Sequence, residues 1–352
     1  MKLSNFDYNL PKELIAQRPL KIRDRARLMV IDKDKGSITH SIFCNIADFL
    51  RPTDLLVLND TKVFPARLVG RKRVTGGKIE ILLLKEKSNN TWETLIRGGR
   101  RFRVGSIIIF EKGELEGRII SQDGNGRVTI EFLYSGDFNG KLNKYGYVPI
   151  PPYIKRDLQG TGTDHSIRAM DNEYYQTVYA NQIGAIAAPT AGLHFTKNSL
   201  GRIEDRGIDI STITLHIGPG TFHPIRVDNI FDHTMESEYY EVDTTNAHKI
   251  NEAKENKRRI IAVGTTTTRV LEHIVKNNGR MIPESGYTDL FIYPGCSFRG
   301  VDALLTNFHL PRSTLLILVS AFAGQELIMK AYLKAIEKRY RFYSYGDAML
   351  II

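Results

Sequence analysis

The sequence predicts an α/β layered domain, of open-barrel or Rossmann-like type, with a small antiparallel β-barrel inserted into it. Three observations lead there. Helical stretches alternate with short apolar strands over residues 150–352, the pattern of helices packed on a largely parallel sheet. Residues 61–149 instead hold short strands at regular spacing without a helical stretch, which indicates a small barrel or sandwich. The buried-strand run Leu55–Leu58 belongs with the first pattern yet stands before the second. The economical parse is one discontinuous α/β domain, 1–60 and 150–352, interrupted by a basic β-barrel domain, 61–149. The excursion begins and ends in turn-forming segments, where insertions are tolerated.

Taken in order, Leu55–Leu58 ends at Asn59-Asp60. In the insertion, Lys78–Leu84, Thr91–Ile96, Ser106–Phe110, Gly117–Ser121 and Arg127–Leu133 read as strands. Gly-, Asn- and Ser-rich turns separate them, such as Gly76-Gly77 and Ser88-Asn89-Asn90. Pro149, Pro151 and Pro152 close the excursion. Ile183–Ala188 is a short apolar strand broken by Pro189 and Gly192. Thr196 can cap a helix that stops at Gly207, and Ile208–Ile217 is a β-rich run broken by Gly218-Pro219-Gly220. Thr244 can cap a helix with Ala247, Ile250 and Ala253 on one face. The strand Arg259–Val263, a helix from about Thr266 to Gly279, and a strand Thr288–Ile292 follow. Leu315–Ala323 is too short to span a bilayer and reads as a buried helix.

Composition narrows the function classes. The hydrophobic share of 42% and charged share of 25% are ordinary for a soluble globular protein. Cys44 and Cys296 show no CxxC or Cys/His spacing, which argues against a zinc site and a disulfide framework and suits a reducing cytosol. The N-terminus lacks the apolar core of a signal peptide. A cytoplasmic protein without a membrane segment is expected. The formal net charge is +10. From Thr61 to Ile150 there are 17 Lys+Arg and 9 Asp+Glu, so 17 − 9 = +8 lies in one quarter of the chain. Arg71-Lys72-Arg73 and the set Arg97, Arg100, Arg101 and Arg103 concentrate it. Such a surface is the footprint of a polyanion, most often nucleic acid, or else a solvated basic face.

Strands that stop in small-residue loops place side chains and amides at one edge of a sheet, where open α/β sheets bind ligands. GAIAAPTAGLHFT and TLHIGPGTFHP are two such stops, and they carry His194, His216 and His223. Glu238, in HTMESEYYEV, is a general-base candidate or a surface charge ahead of a strand. A third loop, Gly264-Thr265-Thr266-Thr267-Thr268-Arg269, leads into a helix. Free amides and hydroxyls there suit a carboxylate or phosphate, although Thr265 could simply cap the helix. It is neither a P-loop nor a GxGxxG turn. In the fourth loop, Leu304–Pro311, Thr306 and Asn307 suit a purine or ribose. Phe308 offers a stacking face, as does Phe195. The histidines show no HExxH spacing, so no metal is expected.

These segments, with LVLNDTKVFPARL, GGKIEILLL, VPIPPYIKR, AVGTTTTRVLE, TDLFIYPG and LLTNFHLPRSTLLILVSAFAG, resemble the S-adenosylmethionine:tRNA ribosyltransferase-isomerase family of queuosine biosynthesis. The resemblance runs from FDYNLPKELIAQRP to YRFYSYGDAMLI; Lys62 and Tyr343 are small departures from it. It implies transfer and isomerisation of the ribosyl part of S-adenosylmethionine onto the aminomethyl nitrogen of a 7-deazaguanine at the tRNA wobble position. Epoxyqueuosine forms and adenine and methionine leave. It implies an α/β domain with an inserted barrel, S-adenosylmethionine as co-substrate, and no prosthetic group or metal. The partner is the anticodon region of tRNA, and a monomer is expected.

Against that chemistry, His194, His216 and Glu238 are the candidate proton-transfer residues. Thr190, Gly192, Phe195, Gly218, Gly220 and Thr221 are expected at the co-substrate from the first two loops. Gly264, Thr265, Thr266, Arg269, Thr306 and Asn307 are expected there from the other two. Arg71, Lys72, Arg73, Arg100 and Arg101 are expected to bind tRNA. Two other readings remain at this stage: an S-adenosylmethionine-dependent tRNA methyltransferase, which lacks its usual Gly-rich loop here, and a non-enzymatic RNA-binding module, which leaves the His-bearing loops unexplained.

Overall fold

The computed structural model describes residues 1–97, 102–123, 126–156, 165–222 and 225–352. The chain divides into two compact units. One holds Met1–Lys62, Pro152–Arg156 and Gln176–Ile352; the other holds Val63–Pro151 and the segment ending at Tyr175. The helix His165–Tyr174 therefore falls in the second unit.

The first unit is built on a nine-stranded mixed sheet. Its centre is parallel: Asp209–Leu215, Leu55–Asn59, Ile260–Val263 and Ala303–Asn307 lie side by side. Ala348–Ile351, Arg27–Asp32 and Ser37–Ile42 extend it on one side. Glu238–Val242 and Glu284–Thr288 extend it antiparallel on the other. Leu55–Asn59 and Ala303–Asn307 are buried at every residue, as parallel strands covered on both faces must be. Successive side chains serve opposite cores: Leu55 and Val57 pack on one face with Leu304, Leu56 and Leu58 on the other with Leu305.

Thr196 caps the helix Lys197–Glu204 through a reciprocal capping box with Ser199. Ala247, Ile250 and Ala253 are the buried face of Thr244–Glu255, as their spacing requires, but its cap is Asp243, whose carboxylate accepts from Asn246 N. The expected strand over Thr288–Ile292 is displaced: the strand is Glu284–Thr288, an antiparallel edge strand whose alternating exposure hides it from an apolar-run criterion. Leu304 and Leu305 belong to a strand, not to a loop. Thr314–Ala323 is a buried helix that bends by 117° into Gln325–Glu337. Among the described residues no single helix is long and apolar enough to cross a membrane.

The second unit is a closed six-stranded antiparallel barrel. Arg67–Lys72, Lys78–Ser88, Thr91–Arg97, Ile107–Phe110, Leu115–Gln122 and Arg127–Tyr134 form it. Arg67–Lys72 was hidden among its charges, and the helix Phe138–Tyr145 was not expected in this segment. Ile79, Ile81, Leu83, Ile130 and Phe132 alternate into the interior. Gly70 makes room for the Phe110 ring: a Cβ there would lie 2.6 Å from Phe110 and 2.8 Å from the Ile109 carbonyl.

Candidate active site

The parallel strands Leu55–Asn59, Ile260–Val263 and Ala303–Asn307 all deliver their carboxyl ends to one edge, and each ends in a residue chosen for that position. Asn59 is fully buried. Its Nδ2 donates to the Leu215 carbonyl (3.1 Å) and to Thr266 Oγ1 (3.3 Å); its Oδ1 accepts from Leu215 N (3.0 Å) and Thr61 N (3.1 Å). One amide thus joins two strand ends to the start of the next helix. Gly264, at φ +92°, turns the chain into the helix Thr265–Asn278, a conformation that an L side chain rarely adopts. The cap of this helix is Gly264, not Thr265, and no side chain caps it. Thr267 and Thr268 turn their hydroxyls back onto the carbonyls of Val263 (2.7 Å) and Gly264 (3.2 Å). Thr265 and Thr266 face a cavity instead.

That cavity has a volume of about 420 Å³ and lies wholly in the first unit. Thr190, Gly264, Thr265, Thr266, Thr306 and Asn307, all expected at the co-substrate, line it. Tyr153, His309, Arg312, Ser313 and Tyr343 complete its polar wall. Asn307 is held from three directions: its Oδ1 accepts from Thr190 Oγ1 (3.1 Å), and its Nδ2 faces the Tyr343 carbonyl and His194 Nε2, each at 3.1 Å. Tyr153 and Tyr343 stack with ring centroids 4.4 Å apart and planes at 22°. Tyr343 sits at φ +70°, a strained conformation for an aromatic residue and one that recurs at ligand sites. A helix N-terminus, amide and hydroxyl groups and aromatic faces around one cavity can hold an anion at one end and a flat heterocycle at the other.

The proton-transfer candidates fare differently. His194 is buried against the Phe43 ring and does not line the cavity. Burial, with the charges of Arg341 and Arg23, pushes its pKa down to about 3. It is a neutral imidazole that fixes the Asn307 amide. His216 is half-buried, its Nδ1 2.8 Å from Thr61 Oγ1, and burial lowers its pKa. Glu238 is buried in an ion pair with Arg269 and also accepts from Gly218 N (2.9 Å). Arg269 spends its other groups on the carbonyls of Leu290 (3.0 Å) and Thr288 (3.2 Å), outside the cavity wall. Phe195 and Phe308 are completely buried core residues, which removes both as stacking faces. Gly192, Gly218 and Gly220 are not in the cavity wall. The Thr221 side chain, His223, Arg100 and Arg101 lie outside the described structure. Among the described residues no three His, Cys, Asp or Glu side chains gather as a metal site.

His309 escaped the sequence reading, although it meets the criterion that selected His194: a histidine in a loop after a buried strand. Its Nε2 lies 2.9 Å from Thr306 Oγ1, and burial pushes its pKa down to about 3. Tyr153 carried no local signal, because its place in the wall depends on the chain re-entering the first unit at Pro152.

Comparison with known proteins places the chain in a family. Residues 3–351 match the family model described as queuosine biosynthesis protein. The chain belongs to this family. The S-adenosylmethionine:tRNA ribosyltransferase-isomerase of Carboxydothermus hydrogenoformans is 51% identical over 352 residues, covering all of both chains. That of Clostridium kluyveri is 49% identical over 351 residues, again with full coverage of both. The crystal structure of the S-adenosylmethionine tRNA ribosyltransferase from Thermotoga maritima is 37% identical, with a TM-score of 0.56 over 99% of this chain and 100% of that one.

In this family member the barrel strands are basic, although the unit as a whole is less so: Val63–Pro151 holds 16 Lys+Arg and 9 Asp+Glu, 16 − 9 = +7, and residues 157–175 add 1 − 4 = −3. Arg71 and Arg73 are exposed; Arg71 Nη1 donates to the Gly76 carbonyl (3.2 Å) and Arg73 pairs with Glu116. The Lys72 ammonium lies 4.3 Å from the centroid of the Phe102 ring. Intramolecular partners of this exposed kind are worth little and yield readily to a phosphate.

Proposed function

We propose that the chain is an S-adenosylmethionine:tRNA ribosyltransferase-isomerase. It moves the ribosyl group of S-adenosylmethionine onto the aminomethyl nitrogen of 7-aminomethyl-7-deazaguanine in tRNA, gives epoxyqueuosine, and releases adenine and methionine. The observation that carries the reading is the cavity at the strand ends, with a helix start, the fixed Asn307 amide and the Tyr153–Tyr343 stack around it. The methionine carboxylate lies at Thr265 and Thr266, where helix amides and dipole favour an anion. Adenine packs against the tyrosine pair, with Asn307 and Thr306 on its polar edge.

The sulfonium acidifies the protons on the adjacent ribose carbon, so a base removes one, and departing adenine accepts a proton. His216, beside the wall residue Ile217, is the candidate base, whereas His309 in the wall, its pKa pushed down to about 3 by burial, is a hydrogen-bonding imidazole too weakly basic for that step. His194 orients Asn307, and the Glu238–Arg269 pair supports the loop at Gly218. The chemistry invokes no metal. The basic barrel, including Arg100 and Arg101, takes tRNA phosphates near the anticodon, and the protein acts as a cytoplasmic monomer.

Incubation with S-adenosylmethionine and tRNA carrying the aminomethyl precursor tests this. Free adenine and methionine with epoxyqueuosine in the RNA is the expected result; S-adenosylhomocysteine with methylated RNA would refute it. Thr265→Val with Thr266→Val should raise the KM for S-adenosylmethionine and leave that for tRNA unchanged. The single-turnover rate of His216→Ala then tests the candidate base, since loss of a general base costs about 100- to 10,000-fold.

A further inference from the structure

Near the sheet edge three aromatic side chains share one cross-strand row. Tyr239 pairs with Tyr287 on the edge strand Glu284–Thr288. On its other side Tyr239 accepts, through its carbonyl, from the amide of His216 (2.9 Å). The His216 and Tyr239 rings are stacked at 5.6 Å and 21°, and Tyr287 meets Tyr239 edge-on at 5.7 Å and 72°. Alternation places this row on the face opposite the buried Glu238 and Tyr240. Tyr287 is 54% exposed. At the inner end, Gly184 lies flat on the imidazole: a Cβ there would be 2.5 Å from His216 Nε2.

Cross-strand aromatic pairs stabilise sheets, and that alone explains a pair. It does not explain why the row is joined to the site. His216 Nδ1 meets Thr61 Oγ1, Thr61 N donates to Asn59 Oδ1, and Asn59 Nδ2 donates to Thr266 in the cavity wall. The row is therefore tied to the cavity rim by consecutive hydrogen bonds. One carboxylate stands on the same face: the Tyr239 hydroxyl donates to Glu241 Oε2 (3.1 Å), whereas Glu284, which accepts from Tyr240 (2.8 Å), lies on the opposite face. A carboxylate repels a phosphate backbone but does not prevent an uncharged base from stacking on an exposed ring.

Building on the tRNA reading above, we propose that the His216–Tyr239–Tyr287 row is a stacking platform for an unpaired tRNA base that neighbours the base being modified. An enzyme that acts on one loop base takes it out of the stack, and the neighbour loses a stacking partner. The exposed Tyr287 ring, backed by Tyr239 and His216, replaces that partner. The contact reads a base face and involves no phosphate.

The test uses the full-length protein and an anticodon stem-loop RNA with 2-aminopurine placed on either side of the wobble position. Wild-type protein should change the fluorescence of one of the two probes by stacking. Tyr287→Ala and Tyr239→Leu should abolish that change and weaken RNA binding roughly 5- to 100-fold, the scale of one base–aromatic stack. The salt dependence of binding and the affinity for S-adenosylmethionine should stay as in wild type, and Tyr287→Trp should restore the signal. Unchanged RNA affinity with an intact probe signal would overturn the platform, as would variants that alter only self-association of the protein. RNA binding is read without turnover, so the two readings fail separately. Adenine release by wild type with unaffected variants sinks the platform alone, and platform-dependent RNA binding without adenine release sinks the enzymatic reading alone.

Discussion

Two buried histidines make the α/β unit acid-sensitive in a way that can be calculated. His194 and His309 each have a pKa lowered from 6.5 to about 3 by burial. In the unfolded chain each takes a proton near 6.5, whereas in the native state each stays neutral to about 3. The unfolded state therefore binds more protons as the pH falls below 6.5. The stabilisation is complete above that value and is lost progressively on the way down to about 3. At 1.36 kcal/mol per pH unit, lowering the pH to about 5 costs about 2 kcal/mol per histidine, about 4 kcal/mol for both. That is a large part of the roughly 5–15 kcal/mol that holds a typical domain together. Asp60, Glu272 and Asp347 oppose the trend: burial raises their pKa values, so their native forms gain protons and stability on acidification. Comparison of wild type with His194→Gln/His309→Gln removes that common contribution. The single tryptophan, Trp92, lies in the barrel unit, so its fluorescence reports the wrong part of the chain. Hydrogen exchange of peptides covering 190–195 and 303–309, corrected for intrinsic rates, reads the correct one. The double variant should lose about 4 kcal/mol of the pH dependence between about pH 7.5 and 5. NMR titration of wild type should find both imidazoles neutral at about pH 5. Equal pH slopes in the two proteins, or an imidazolium at either position at that pH, would refute the reasoning.

Asn59→Ala should destabilise the first unit by about 3 kcal/mol or more, because four buried hydrogen bonds converge on that amide; thermal unfolding measures it. Asp54 is fully buried and bonded twice to Arg259, Nε to Oδ1 at 2.8 Å and Nη2 to Oδ2 at 2.6 Å. Asp54→Ala should therefore cost about 3–5 kcal/mol in urea denaturation, and a loss below about 1 kcal/mol would contradict the burial of this pair. Replacing Arg71, Lys72 and Arg73 by Gln should weaken tRNA binding and reduce its log–log salt slope by about 0.7–0.9 for each phosphate that is no longer neutralised. An unchanged slope would move the phosphate-binding surface elsewhere.

Periodicity and turn chemistry were enough to foresee an α/β layer and a small barrel, but not the helix Phe138–Tyr145 within the barrel segment or the helix His165–Tyr174 that joins the same unit. Apolar runs such as Leu55–Leu58 and alternation such as Arg127–Leu133 are local signals, and local backbone geometry obeys them. The Thr196 cap was legible for the same reason, and so were the loops that end the parallel strands, because Gly, Asn and Thr are selected by the backbone conformation there. Strands whose residues alternate with charge, such as Arg67–Lys72 and Glu284–Thr288, were lost or displaced, since each also pairs with a strand distant in sequence, Ile107–Phe110 and Glu238–Val242.

The sequence determined which residue types stand at the site; tertiary structure alone decided what each can do. Arg269 and Glu238 read as separate functional groups, yet in the fold each neutralises the other in a buried pair. His194 reads as a catalyst but lies behind Asn307, whereas His309, two positions beyond that asparagine, faces the cavity. Phe195 reads as a stacking face and fills the core, and Tyr153 and Tyr343, 190 positions apart, supply the aromatic pair instead. Hydrogen-bond direction, desolvation and ring contact depend on distances between segments that no local pattern encodes. The side chains are written in the chain, and their protonation, pairing and reach are set by what folding packs against them.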